Sequence, residues 1–78
     1  MTKFEIGKTY QGVIERTGAV RYFEVVKRTP KFIVIKGEMV CGTEKIRVKE
    51  SDGIETAQYD CAWLHYQLSA DKKVSDEL

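Results

Sequence analysis

Apolar and polar positions alternate along most of the chain with a period of two, the spacing of a half-buried strand. The cleanest case is Glu44 to Lys49, where Ile46 and Val48 take one side and Lys45, Arg47 and Lys49 the other. Thr9 to Glu15 is a first such run, with Tyr10 and Val13 or Ile14 as inward candidates. Val20 to Arg28 and Phe32 to Lys36 follow, both rich in β-branched and aromatic residues. They flank a short basic turn holding the one proline, Pro30, and read as a β-hairpin with a charged tip. A fifth run covers Ile54 to Gln58 or Tyr59, entered through Ser51-Asp52-Gly53, whose Asp-Gly is a strong hairpin signal. Thr17-Gly18 and Gly37 mark further breaks. Met39 to Cys41 belong to the connection after Gly37 or extend a strand.

Asp60 to Ala70 fits two periods. With Asp60 as N-cap, Trp63, Tyr66 and Ala70 share one helical face, with Leu64 and Leu68 beside it. As a sixth strand, the same stretch turns Leu64, Tyr66 and Leu68 inward. The helix is the favoured reading. Asp71 to Leu78 is polar and is expected to be a flexible tail. Together these elements predict a single all-β domain over residues 1–70. Its expected form is a five-stranded antiparallel roll, or an SH3-like or OB-like barrel, with a short C-terminal helix.

Composition supports one small folded unit. At 78 residues the chain buries only roughly 60% of its unfolded surface, so its core is thin. Phe4, Tyr10, Tyr22, Phe23, Phe32, Tyr59, Trp63 and Tyr66 supply the large core candidates and argue against disorder. A homo-oligomer is one way to enlarge such a core. No apolar run approaches the ~20 residues of a membrane-spanning helix, and no signal-peptide core opens the chain. A cytoplasmic protein with no membrane partner is therefore expected. Cys41 and Cys61 suit that compartment as buried free thiols.

Charge changes the picture more. The net charge is +1, yet residues 1–49 carry eleven Lys/Arg against five Glu, and residues 50–78 carry two Lys against seven Asp/Glu. A split of +6 and −5 means either a polar partner surface or an acidic end packed on a basic sheet. The hairpin tip places Lys27, Arg28 and Lys31 within five residues, with Arg21 and Lys36 at its base. Lys45, Arg47 and Lys49 form a second basic face on the fourth strand. Such cations can hold phosphate while neighbouring rings stack on bases. The plainer readings are a solvated turn and the wet face of an amphipathic strand. Trp63, with Tyr59 and Tyr66, is either an interface anchor or a plug for one end of the barrel.

Metal and catalytic chemistry find few parts. Cys61 and His65 are spaced for adjacent turns of a helix, but with Cys41 they do not make the four ligands of a structural zinc site. Glu55, Asp60 and His65, or Cys61 with His65, can be grouped on paper. No nucleophile elbow or phosphate-cradling glycine loop accompanies them. No cofactor, metal or enzymatic activity is expected.

Gly7-Lys8-Thr9-Tyr10, the hairpin Tyr22 to Ile35, Lys45-Ile46-Arg47-Val48 and Asp52-Gly53-Ile54-Glu55 form an ordered set. That set resembles a pattern in small uncharacterised proteins of phages, prophages and conjugative elements of Firmicutes. The resemblance covers most of residues 4–60. After Tyr59 those proteins place a proline and, further on, an Arg-Ala, whereas this chain has Asp60-Cys61-Ala62-Trp63-Leu64-His65. No activity comes with the resemblance. It implies a mobile-element accessory protein acting inside a bacterial cell. The leading expectation is a non-enzymatic interaction module that binds a host or element-encoded protein. The alternative is a nucleic-acid-binding accessory protein that uses the hairpin tip and the fourth strand. The candidate binding residues are Arg21, Lys27, Arg28, Lys31, Lys45, Arg47, Lys49 and Trp63.

Overall fold

The computed structural model describes residues 2–38, 40–61 and 64–74. Six strands follow one another as β1 (Thr9–Ile14), β2 (Val20–Arg28), β3 (Phe32–Gly37), β4 (Glu44–Ser51), β5 (Ile54–Cys61) and β6 (Leu64–Lys73). Each pairs antiparallel with the next, and β6 returns to pair with β1, so the sheet is a closed barrel. The all-β expectation holds. The barrel has the small scale of SH3-like and OB-like rolls, with its strands in simple sequential order.

The C-terminal helix does not form. β5 runs on to Cys61, and Leu64 to Lys73 is the sixth strand, with Tyr66, Leu68 and Ala70 buried. Closure explains the outcome. Six hydrogen-bonded columns need a last strand that satisfies both β5 and β1, and a helix offers no ladder to either. β6 also takes Asp71 to Lys73 out of the predicted tail. Residues 75–78 lie outside the described residues.

The turns follow local chemistry. Asp52 and Gly53 both have positive φ, at 54° and 77°, as a two-residue type I′ hairpin requires. At the β2–β3 tip, Thr29 N donates to the Phe32 carbonyl and its Oγ1 accepts from Phe32 N. A bulge between Val25 and Lys27 then changes the phase of β2. Phe23 and Val25 point inward, and strict alternation would send residue 27 after them. Instead Lys27 opposes Val34 on the outside, and Arg28 opposes Ile33 on the inside.

The core is aromatic at its centre. The fully buried Phe23 ring lies 5.6 Å from Tyr59 and 5.4 Å from Tyr66. Tyr59 and Tyr66, cross-strand partners, stack on each other at 6.1 Å. Phe4 and Tyr10 meet edge-on at 4.9 Å. Two of the expected core rings lie elsewhere: Tyr22 is exposed on the outside of β2, and Phe32 is half-buried on the outside of β3. Trp63 falls outside the described residues.

Phe23 has room because Gly12 on β1 faces it without a side chain. A Cβ at Gly12 would lie 2.5 Å from Phe23 Cε2 and 3.3 Å from a Leu68 methyl carbon. Both groups are buried in the core, at 0% and 1% exposure. Gly12→Ala should therefore destabilise the protein by about 2 kcal/mol through overpacking. A urea titration should show this as a lowered midpoint at unchanged slope. An unchanged midpoint would mean that the Phe23 ring is not confined.

Candidate functional site

The predicted cations divide into three groups. Arg28 leaves the hairpin tip and reaches across the barrel mouth to Glu55. Its Nη1 lies 2.7 Å from Oε1 and its Nη2 3.1 Å from Oε2, a bidentate pair with Glu55 only 6% exposed. Nη1 also donates to the Phe4 carbonyl at 2.9 Å, while Phe4 N donates to Glu55 Oε1 at 2.8 Å. β2 and β5 stand three strands apart, so this pair spans the barrel and ties the lead-in residue Phe4 into its end. Arg21 lies at the other end of β2, roughly 20 Å away by strand rise. It is exposed there, and its Nη1 donates to the Val20 carbonyl.

The third group forms a face. Lys45, Arg47 and Lys49 all point outward from β4, as their alternation requires. Register aligns Lys27, Val34 and Lys45 across three strands, and Phe32 opposes Arg47. Lys45 Nζ sits 4.5 Å from the Phe32 ring centroid and Arg47 Cζ 5.9 Å from it. Lys31 is exposed beside Phe32 at the tip, its carbonyl taken by Val48 N. Among the described residues, the ion pairs engage Arg28, Lys36, Lys73 and His65, and none engages Lys27, Lys31, Lys45, Arg47 or Lys49. The structure thus places Lys45 and Arg47 on the Phe32 ring, Lys27 and Lys49 on the same outer face and Lys31 at the adjoining tip, and sets Arg21 and Arg28 apart from them.

Next to this face, towards β5 and β6, lies a polar hollow lined by Arg47, Lys49, Thr56, Gln58, Asp60 and Gln67. A chain of hydrogen bonds runs along it. Gln67 Nε2 donates to Gln58 Oε1 at 2.8 Å, and Gln58 Nε2 donates to Asp60 Oδ1 at 2.7 Å. His65 Nδ1 meets the same oxygen at 2.6 Å. The Gln58 amide, and after it the His65 ring, hold the Asp60 carboxyl below its ordinary value, so it stays ionised. Sequence reasoning overlooked this hollow. Its only signal was the polar parity of Thr56, Gln58 and Asp60 on β5.

The groupings drawn for catalysis and metal come apart. Glu55 is at the barrel mouth, while Asp60 and His65 face outward. Cys61 packs against the core, and Cys41 is exposed rather than buried. No cluster of three His, Cys, Asp or Glu converges among the described residues. Comparison with protein-family models, curated proteins and solved structures returns no match.

The Arg28 guanidinium holds the Glu55 carboxyl below its ordinary value, against the upward push of burial. A depressed carboxyl adds stability above the ordinary glutamate value of about 4.3, and that stability is lost as pH falls from there through the folded value. Glu55→Ala should cost about 3 kcal/mol near pH 7, because Arg28 and Phe4 N both lose their acceptor. The Glu55→Leu/Arg28→Met double variant should be less damaged than either single one. Thermal unfolding from pH 3 to pH 7 should be less pH-dependent in the double variant than in the wild type. Additive losses, or equal pH slopes, would contradict the pairing.

Proposed function

We propose that this protein is a non-enzymatic binding module that takes an anionic partner on the outer face of β3 and β4. One observation carries the reading: Lys45 and Arg47 flank the half-buried Phe32, Lys27 and Lys49 share their outer face with Lys31 at the adjoining tip, and none of the five has a carboxylate within ion-pair distance among the described residues. Cations gathered on one wall, without internal partners, raise the local potential and steer an anion to it. The net charge of +1 makes this a property of the face and not of the whole chain.

The resemblance of residues 4–60 to proteins of phages, prophages and conjugative elements suggests the setting. It is the cytoplasm of a bacterial cell, with the partner supplied by the host or the element. The described strands close into a barrel and leave no free edge among themselves, so recognition rests on side chains rather than on strand addition.

The test uses heparin resin as a generic polyanion. Wild type should be retained near physiological salt, and the Lys45→Glu/Arg47→Glu/Lys49→Glu variant should wash through. All three positions are exposed, so the variant should unfold within roughly 1 kcal/mol of wild type. Equal retention of the folded variant would remove the β4 face from the function.

A further inference from the structure

We infer that the anionic partner is single-stranded nucleic acid, its backbone laid along β4, a base stacked on Phe32 and others facing the Thr56–Gln58–Asp60–Gln67 hollow. This rests on the reading of β3 and β4 as an anion-binding face, and names what that face takes.

The spacing comes first. Alternate residues of a strand stand roughly 7 Å apart, so Lys45, Arg47 and Lys49 form a straight row of charge at that interval. Such a row follows an extended chain of phosphates, one cation to each. A duplex fits less well. The barrel measures 29 × 29 × 22 Å, too wide to enter a major groove of about 12 Å. The row lies on its convex wall, which touches a duplex over only a short arc.

The ring comes second. Phe32 is half-buried, with Lys45 Nζ over its ring at 4.5 Å and Arg47 Cζ at 5.9 Å, so a base that stacks there takes the place of the mobile Lys45 ammonium, which is then free to meet a phosphate. An aromatic platform beside a row of cations is the arrangement by which sheets bind single strands with little sequence preference. Arg47, already 5.9 Å from the ring centroid, is placed to bridge a stacked base and its phosphate.

The hollow separates nucleic acid from an acidic peptide. Asp60, held ionised by Gln58 and His65, stands beside Arg47 and Lys49 on its wall. An acidic side chain there meets a fixed negative charge. A base edge finds the reverse, because the carboxylate accepts from an exocyclic amino group. Gln67 Oε1, which takes no part in the bonds that join Gln67, Gln58 and Asp60, adds an acceptor for a base amino or imino group.

The experiment is fluorescence anisotropy with three labelled probes: a single-stranded DNA of about 12 nucleotides, the same sequence as a duplex, and a polyglutamate peptide of similar length. Salt runs from about 50 to about 200 mM. The single strand should bind tightest, with a log–log salt slope of about −2, as three phosphate contacts give. Lys45→Glu/Arg47→Glu/Lys49→Glu should abolish binding. Phe32→Ala should weaken it roughly tenfold and leave the slope unchanged, since a stack and not a phosphate contact is removed. Phe32→Leu, which keeps the half-buried packing, serves if the alanine variant fails to fold, and the same loss is expected. Polyglutamate bound as tightly as the single strand, and released by the charge reversal, would keep the anion-binding face and overturn the inference. Duplex bound as tightly as single strand would overturn it too, as would full affinity in folded Phe32→Leu. No probe bound at the lowest salt would overturn both.

Discussion

The Arg28–Glu55 pair is the strut on which one end of this barrel depends. It joins strands on opposite walls, across a mouth that no strand ladder closes. Burying two charges costs several kcal/mol each, and a hydrophobic pair of equal volume is often the more stable choice. The ion pair does something that such a pair cannot. Glu55 accepts from Phe4 N and Arg28 donates to the Phe4 carbonyl, so the lead-in backbone is fixed in register as well as covered. Thr2 exchanges backbone bonds with Gly53 and Glu55, and Gly7 N donates to Val25. The segment crosses from β5 to β2 and seats Phe4 edge-on against Tyr10. Without the strut, Phe4 loses both its polar anchors and the core opens at that end.

Closure sets the remaining constraints. A six-strand barrel of this length has little interior, and Phe23, Tyr59 and Tyr66 fill it only because β1 contributes Gly12 opposite the Phe23 ring. With aromatic rings at the centre and the described ladders closed on themselves, the interior is given to packing. Recognition falls to the outer wall. There the strand period of two sorts residues into cross-strand rows, and the rows of β3 and β4 bring Phe32 and the cations together.

Strands β1 to β5 could be read from the chain, their starts to the residue and their ends within three residues, because alternation and the turn residues are local signals. Asp52-Gly53 and Thr29-Pro30 act within four residues of themselves. Three features could not be read this way, for one shared reason. β6 was ambiguous because Leu64, Tyr66, Leu68 and Ala70 fit a strand while Trp63, Tyr66 and Ala70 fit a helix; the choice was made by β1, some fifty residues earlier. Arg28 counted as a tip cation because the bulge that turns it inward leaves no mark in composition, and its partner is 27 residues away. Tyr22 and Phe32 passed for core because size and apolarity do not say which side of a sheet a ring is on. In contrast, Lys45, Arg47 and Lys49 lie where their alternation puts them.

The uneven charge of the chain can now be divided. Of the ion pairs among the described residues, Arg28–Glu55 sets a cation of the basic half against an acid of the acidic half, whereas Lys36–Glu24 lies within the basic half and Lys73–Glu5 runs the other way. The β4 row enters none of them. Three like charges at roughly 7 Å intervals repel by about 0.6 kcal/mol per adjacent pair in water before screening. Lys49 has Thr56 as its β5 neighbour, where a carboxylate would relieve that repulsion. The one carboxylate of the adjoining hollow, Asp60, is engaged by Gln58 and His65 instead. A surface optimised for its own stability would intersperse the signs. This face keeps its repulsion, and an anion seated along the row would relieve it, so binding and local stability favour the same occupant.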